Sequence, residues 1–354
     1  MDKDVKRREL IETLKKLLAI DSTTGREQEI LAFLSQYLEG LGFELSKEYV
    51  FNDRYNLIGI RGEPEYLIAT HVDTVPTWDH PYTTEPKIED TTIWARGVVD
   101  TKGQIAALLN AIKDDSNAPC AVAFFVDEEV GGQGSFKFHP PKKFKGAVVL
   151  EPTDLKIANK QAGSVEIVVE CFGKCAHGAV PKKGDNAIDT FIEIYQTIKG
   201  LSYLKTTPKE FKDAGLTLGK LEGGIDCQIV PSRCVGELDI PIYSEKDKDE
   251  LFSCLEDLKK RYNFNYTVVY MDMPCEISAE EGVVQYLAKA VKKEINLEFT
   301  GMCAWTDAAN LMKKGIPSVI FGAGSLHTCH CPDERLDIDD LFKLYRIFIN
   351  FFQG

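Results

Sequence analysis

Residues 121–132, AVAFFVDEEVGG, constrain this chain more than any other stretch. The six apolar residues Ala121–Val126 are continuous rather than alternating, which predicts a short strand buried on both faces. The strand stops at three acids, Asp127, Glu128 and Glu129, and the pair Gly131-Gly132 then turns the chain. In an open α/β sheet, ligands bind beyond the carboxyl ends of the strands. Two adjacent glutamates there can divide the work, one holding a cation and the other moving a proton. Taken alone, the acids read better as groups that solvate a strand end or cap the next helix.

Three further apolar runs end the same way. Tyr66–Ala69 leads into Thr70, His71, Val72 and Asp73, and Ala147–Leu150 leads into Glu151. Ser318–Phe321 leads through a Gly-rich loop to Cys329, His330 and Cys331. A fourth segment, Arg96–Gly103 (RGVVDTKG), sets Asp100 just before a predicted helix, Gln104–Ile112. Several strand ends delivering His, Asp and Glu point to one shared site.

Length favours two domains. Helices are predicted over Val5–Ile20 and from a Thr24/Glu27 capping box to about Leu38. Strands are predicted over Phe43–Val50 and Leu57–Arg61. This alternation, up to Glu151, predicts an α/β fold with helices on the faces of its sheet, in a first domain ending near residue 162. Residues 163–275 then read as β-α-β-β-α-β, a complete α+β domain. Its elements are Ser164–Phe172, Asn186–Leu201, Leu216–Leu221, Gln228–Ile242, Lys246–Tyr262 and Asn265–Met271. The first pattern resumes over 276–354, so the catalytic domain is expected in two parts, 1–162 and 276–354, around an inserted domain.

The net charge of −13 argues against nucleic acid or an anionic membrane as partner. No apolar run reaches membrane-spanning length. Ten scattered cysteines and a charged opening, MDKDVKRREL, suit a cytoplasmic protein with reduced thiols.

Carboxylates and imidazole together suit zinc, with cobalt or manganese as alternatives. The expected ligands are His71, Asp100, Glu129, Glu151 and His330. Three carboxylates among five ligands suggest two divalent ions with one acid bridging, and about +4 against −3 leaves room for hydroxide. Asp73, two residues beyond His71, is placed to take the second ring N–H of His71. Glu128 stays free to move a proton.

The ordered segments His71-Val72-Asp73-Thr74-Val75-Pro76, Arg96–Gly103, Asp127-Glu128-Glu129 and Glu151-Pro152-Thr153 resemble a known family. It is the zinc-dependent aminoacylase, carboxypeptidase and acetylornithine deacetylase family, which includes succinyl-diaminopimelate desuccinylase. The resemblance implies an α/β, mixed-sheet zinc-peptidase-like catalytic domain in which Asp100 bridges two zincs. His71 and Glu151 would complete one side, Glu129 and His330 the other, with Glu128 as catalytic base. His330 rather than His327 is preferred because Pro332-Asp333-Glu334 follows at the family's offset. The inserted domain would be a lid that forms a homodimer. Gly173–Ala179 (GKCAHGA) resembles its motif, so His177 would hydrogen-bond the oxyanion in a neighbouring active site. A surface-loop histidine is the equal alternative.

The lid departs from the family at Asp239-Ile240-Pro241, which lacks an expected Arg, and at Gln228-Ile229-Val230-Pro231, which lacks an Asn. Arg233 is a substitute for contact with a substrate carboxylate, or an exposed ion-pairing residue. The text around Glu151 and His330 leans toward acetylornithine deacetylases and lysine-pathway deacylases. The expected reaction is therefore removal of an N-acyl group, acetyl above others, from a small amino acid. Desuccinylase and dipeptidase or carboxypeptidase readings stand beside it. A structural zinc at Cys329/Cys331, a Cys175–His177 hydrolase, a two-metal phosphatase or nuclease, and an inactive metal-binding sensor each leave part of the pattern unexplained.

Overall fold

The computed structural model describes residues 3–354. The chain forms two compact units. One takes in the chain up to Lys160 together with Glu276–Thr300 and Thr306–Gly354; the other comprises Gln161–Cys275 and Gly301–Trp305. The segment Gly301–Trp305 is the difference from the division at residue 276. It is drawn in by tertiary contacts: Ala162 N–H donates to the Met302 carbonyl at 2.9 Å, and Trp305 Nε1 donates to Asp272 at 2.7 Å.

The first unit is built on a mixed sheet. Four of its strands run parallel and side by side: Cys120–Phe125, Tyr66–His71, Gly146–Val149 and Ser318–Ile320. These are the continuous apolar runs, and their residues are buried on both faces, as a sheet covered by helices requires. Tyr55–Arg61 and Glu44–Tyr49 extend it antiparallel on one side. Helices Lys3–Leu18, Gly103–Asp114, Gly282–Lys292 and Ile338–Gln353 turn apolar faces into one core with the strands. Because the four central strands share a direction, their carboxyl ends deliver His71, Asp127–Glu129, Glu151 and the loop to His330 at the same edge.

The capping box expected at Thr24 and Glu27 does not form. The helix begins at Gln28 without a side-chain cap. Thr24 Oγ1 instead donates to Asp73 Oδ2 at 2.8 Å, and buried Glu27 is held by Arg54 Nε at 3.0 Å. Both side chains met stronger, charged partners in the tertiary structure than a local N–H offers.

The second unit has four antiparallel strands in the order Thr217–Gly223, Arg233–Ile242, Gly163–Phe172, Phe264–Asp272. Helices Ala187–Lys199 and Glu245–Lys259 close a separate core around Val165, Ile167, Phe191, Leu238 and Leu255. This is the arrangement that a β-α-β-β-α-β order produces. No helix among the described residues is long and apolar enough to cross a membrane.

Candidate metal centre

His71 is the last residue of its strand and fully buried. Its Nδ1 lies 2.8 Å from the backbone carbonyl of Asp73 and 3.6 Å from the Asp73 carboxylate. The ring N–H therefore goes to the carbonyl rather than to the side chain expected from the sequence. That bond fixes the tautomer, leaving the Nε2 lone pair free to bind a cation. Nε2 lies 2.9 Å from Asp100 Oδ1 and 3.7 Å from Glu151 Oε1.

Asp100 reaches the same point from an irregular turn, Val98–Lys102, ahead of the helix Gly103–Asp114. Gly97 before it sits at φ 78°, where a Cβ would lie 2.8 Å from Thr74 Cγ2. Only glycine fits both demands. The other oxygen of Asp100 lies 3.5 Å from His330 Nε2, which is also 3.0 Å from Glu129 Oε2. The five expected residues thus form two triads, His71–Asp100–Glu151 and Asp100–Glu129–His330, joined at Asp100. Within each triad, one ligand atom per residue lies within 4.8 Å of the others.

Asp73 does its own work as a hub. Its buried carboxylate accepts the Glu128 N–H at 3.1 Å, the Glu129 N–H at 3.3 Å and the Thr24 hydroxyl. It therefore holds the main chain of both glutamates while also facing the ring of His71 at 3.6 Å. Glu129 Oε1 also accepts the Val75 N–H at 3.2 Å. Glu128 is half-buried beside it.

The electrostatics show a site built around positive charge. Burial pushes the carboxyls of Glu128 and Glu151 well above the usual range, and the neighbouring acids add to it. Burial and the charge of Asp100 raise Glu129 as well. Asp100 is lowered despite its burial by His330 and His71. Burial opposes charge on the two imidazoles, but the surrounding carboxylates outweigh it. They hold His71 well above its ordinary value and His330 at about 10. Glu151 Oε1 is buried with no hydrogen-bond partner. So many acids, one with an orphaned oxygen, would repel one another in a low-dielectric pocket. Divalent cations relieve both problems, and the donor set of two imidazoles and three carboxylates suits zinc.

Two neighbours escape sequence reading. Thr101 Oγ1 donates to the His71 carbonyl at 2.9 Å. Asp307, just before the helix Ala308–Lys313, is fully buried, and burial raises it to about 7. A Thr-Asp pair before a helix signals a cap, and nothing in the sequence distinguishes this one.

Two expected site residues belong to the second unit. His177 is exposed, and its Nδ1 accepts the Ala179 N–H at 3.1 Å, which leaves the proton of a neutral ring on Nε2. Arg233 is exposed, and its Nε donates to Glu170 at 2.6 Å, the ion-pairing alternative. His327, the rival to His330, bonds Ser325 Oγ through Nδ1.

Comparison with known proteins agrees with this architecture. A curated relative from Arthroderma gypseum named "Probable carboxypeptidase" is 24% identical, with 96% of this chain and 83% of the relative aligned. Another of that name, from Aspergillus terreus, is 26% identical over 92% of this chain and 81% of its own length. Among solved structures, a Staphylococcus aureus tripeptidase matches with a TM-score of 0.81 at 21% identity, covering 98% of this chain and 99% of that one. An M20 family metallo-carboxypeptidase from Sulfolobus solfataricus matches with a TM-score of 0.75 at 18% identity, covering 100% and 99%. These likenesses establish the fold. The model of Peptidase family M20/M25/M40 matches residues 67–354, which includes every residue of the two triads, and the chain belongs to that family of metal-dependent hydrolases.

Proposed function

We propose that this enzyme hydrolyses the amide bond of a small N-acyl amino acid, with acetyl as the first candidate acyl group. The observation that supports it is the pair of triads sharing Asp100, with Glu128 outside both and close enough to feel the charges of His71, Glu151 and Glu129. His71, Asp100 and Glu151 would hold one divalent cation and Asp100, Glu129 and His330 a second. When bound, such a pair polarises the substrate carbonyl and makes water nucleophilic near neutral pH. The chain supplies the rest. Glu128 takes the proton from the attacking water and passes it to the departing amine nitrogen. Asp73 holds the Glu128 main chain in register with the ligands. His71 is oriented by the Asp73 carbonyl.

In the second unit, His177 would donate from Nε2 to the oxyanion of a neighbouring subunit. A dimer through this unit is supported by its open edge strands: Leu221 on one and Val269 and Met271 on the other are exposed apolar residues. Arg233 would meet a substrate carboxylate only by sharing itself with Glu170.

A second reading, carboxypeptidase or dipeptidase, is favoured by the names of the relatives and structural neighbours. The same machinery serves both, and pocket contacts decide. The test is a comparison of kcat/KM for N-acetylornithine, N-acetyl-lysine, N-succinyl-diaminopimelate, simple N-acetyl amino acids and dipeptides. An acetyl amino acid should lead. A dipeptide or the succinyl compound ahead by orders of magnitude would overturn the acyl assignment and keep the chemistry. No turnover of any amide by fully metallated enzyme would overturn both.

A further inference from the structure

Glu334 lies four residues after His330, and its carboxylate is buried to 1% exposure. It accepts four donors from a segment more than 230 residues earlier. Oε2 takes Arg96 Nη1 at 2.7 Å and the Gly97 N–H at 3.1 Å; Oε1 takes the Val99 N–H at 3.0 Å and the Asp100 N–H at 3.4 Å. One side chain thus spans the turn that presents Asp100. The location is telling. The strand Arg335–Asp337 pairs antiparallel with Thr92–Trp94, ending at the pair Arg335–Trp94. Glu334 begins where that ladder stops, supplying acceptors to N–H groups the ladder would leave unmet.

The five ligand-bearing residues are not anchored alike. His71 ends a central strand, and Glu151 follows another after one residue. Glu129 is held by Asp73 and by the Val75 N–H. His330 alone comes from a long loop, is half-exposed and sits at φ 62°. Between it and Glu334 lies a tight turn in which the Glu334 N–H donates to the Cys331 carbonyl at 3.3 Å. Glu334 therefore ties the turn that carries Asp100 to the loop end that carries His330. The turn that carries Asp100 has a second tie beside Glu334: Thr101 Oγ1 donates to the His71 carbonyl at 2.9 Å.

We propose that Glu334 is a positioning residue for one half of the metal centre. It fixes His330 against Asp100 and so sets the cation affinity of the Asp100–Glu129–His330 site, while the His71–Asp100–Glu151 site holds its cation without it. The inference rests on the two-cation reading above. Replacing a group that orients a ligand typically lowers metal affinity about 10–100-fold, and here the loss should fall on one site.

The test is titration of the metal-free, full-length protein with Co²⁺, followed by calorimetry and by the visible spectrum of bound cobalt. Wild type should take up two ions. Glu334→Gln keeps size but turns an amide NH₂ toward donors. It should bind one ion at near wild-type affinity and the second about 10–100-fold more weakly. Equal weakening at both sites, or at neither, would overturn the proposal. Wild type binding fewer than two ions would instead overturn the two-cation reading, before any variant is compared. Thermal unfolding of the metal-free variant checks its fold. Should Glu334→Gln not fold, Glu334→Asp, which keeps charge but loses reach, carries the same titration. Hydrogen exchange in metal-free wild type gives a readout free of substitution: the amides of Gly97, Val99 and Asp100 should exchange slowly, and fast exchange would overturn the brace.

Discussion

Replacing Asp73 by Asn changes one atom of a buried carboxylate that serves three donors. Oδ1 takes the Glu128 N–H; Oδ2 takes the Glu129 N–H and the Thr24 hydroxyl. An Asn amide can keep only one of these sides. The cheaper orientation keeps the carbonyl toward Glu129 and Thr24, and sets NH₂ against the Glu128 N–H. The loss is a hydrogen bond to a charged acceptor, about 1.5–3 kcal/mol, and a buried donor left unmatched, about 1–3 kcal/mol. Some relaxation brings the expected net cost to about 2–4 kcal/mol. The displaced group is the main chain of the proposed base, and a shift of order 1 Å there can cost about 100-fold in rate. Asp73→Asn should therefore keep two metals, unfold at lower temperature and lose about 10–100-fold in kcat. Thr24→Val, which removes one donor and leaves the carboxylate intact, should cost about 1 kcal/mol and little rate. Metal analysis, thermal unfolding and kcat at saturating metal test the pair together. The reasoning fails if Asp73→Asn is as active and stable as wild type, or if its rate falls only in step with lost metal.

Glu128→Gln should retain both metals and lose about 10²–10⁴-fold in kcat, measured on metal-saturated enzyme; near-normal turnover would put the proton elsewhere. The stabilisation that cations confer should grow with pH. Asp307 is raised from 3.8 to about 7, and Glu128 and Glu151 move the same way. The metal-free fold therefore binds more protons than the unfolded chain, and loses stability as pH rises from about 4 through about 7. A cation takes the place of the proton on Glu151, and its charge disfavours those on nearby Glu128 and Asp307, so the gap in Tm between loaded and metal-free protein should widen from pH 5 to pH 8; a constant gap would contradict the charge analysis. His177→Ala should lose rate with both metals kept. Mixed with Glu128→Gln, it should recover activity through hybrid dimers. No recovery despite proven subunit exchange would exclude action across subunits.

What the sequence revealed followed from what it can encode locally. Continuous apolar runs mark buried parallel strands, and those strands share a direction, so the polar residues at their ends converge. That is why His71, Glu129 and Glu151 could be named and then found together in space, while Asp100, on a turn before a helix, and His330, on a loop, were named from the kinds of residue and the order of the segments and lie with them. The β-α-β-β-α-β order of the second unit was legible for the same reason, from alternating patterns alone. Contacts across long separations were not. Thr24 and Glu27 have the spacing of a capping box, yet a carboxylate 49 residues away and an arginine 27 residues away claimed them. Asp73 was expected to orient His71 with its side chain; the carboxylate does face the ring at 3.6 Å, but the shorter bond comes from its carbonyl, and the carboxylate also takes the Glu128 and Glu129 amides, which no local pattern announced. Glu334 stood in a motif used only to choose between His327 and His330. Its grip on Gly97, Val99 and Asp100 depends on a strand pairing that no local pattern announces.

The central claim is that the two triads hold two cations with Asp100 between them. The most direct measurement is anomalous diffraction at the zinc edge from crystals of the zinc-loaded protein. Two peaks about 3.5–4 Å apart are expected, one beside His71 and Glu151, the other beside Glu129 and His330, with Asp100 reaching both. A single peak in fully loaded protein, or His330 turned away from the metals, would contradict it.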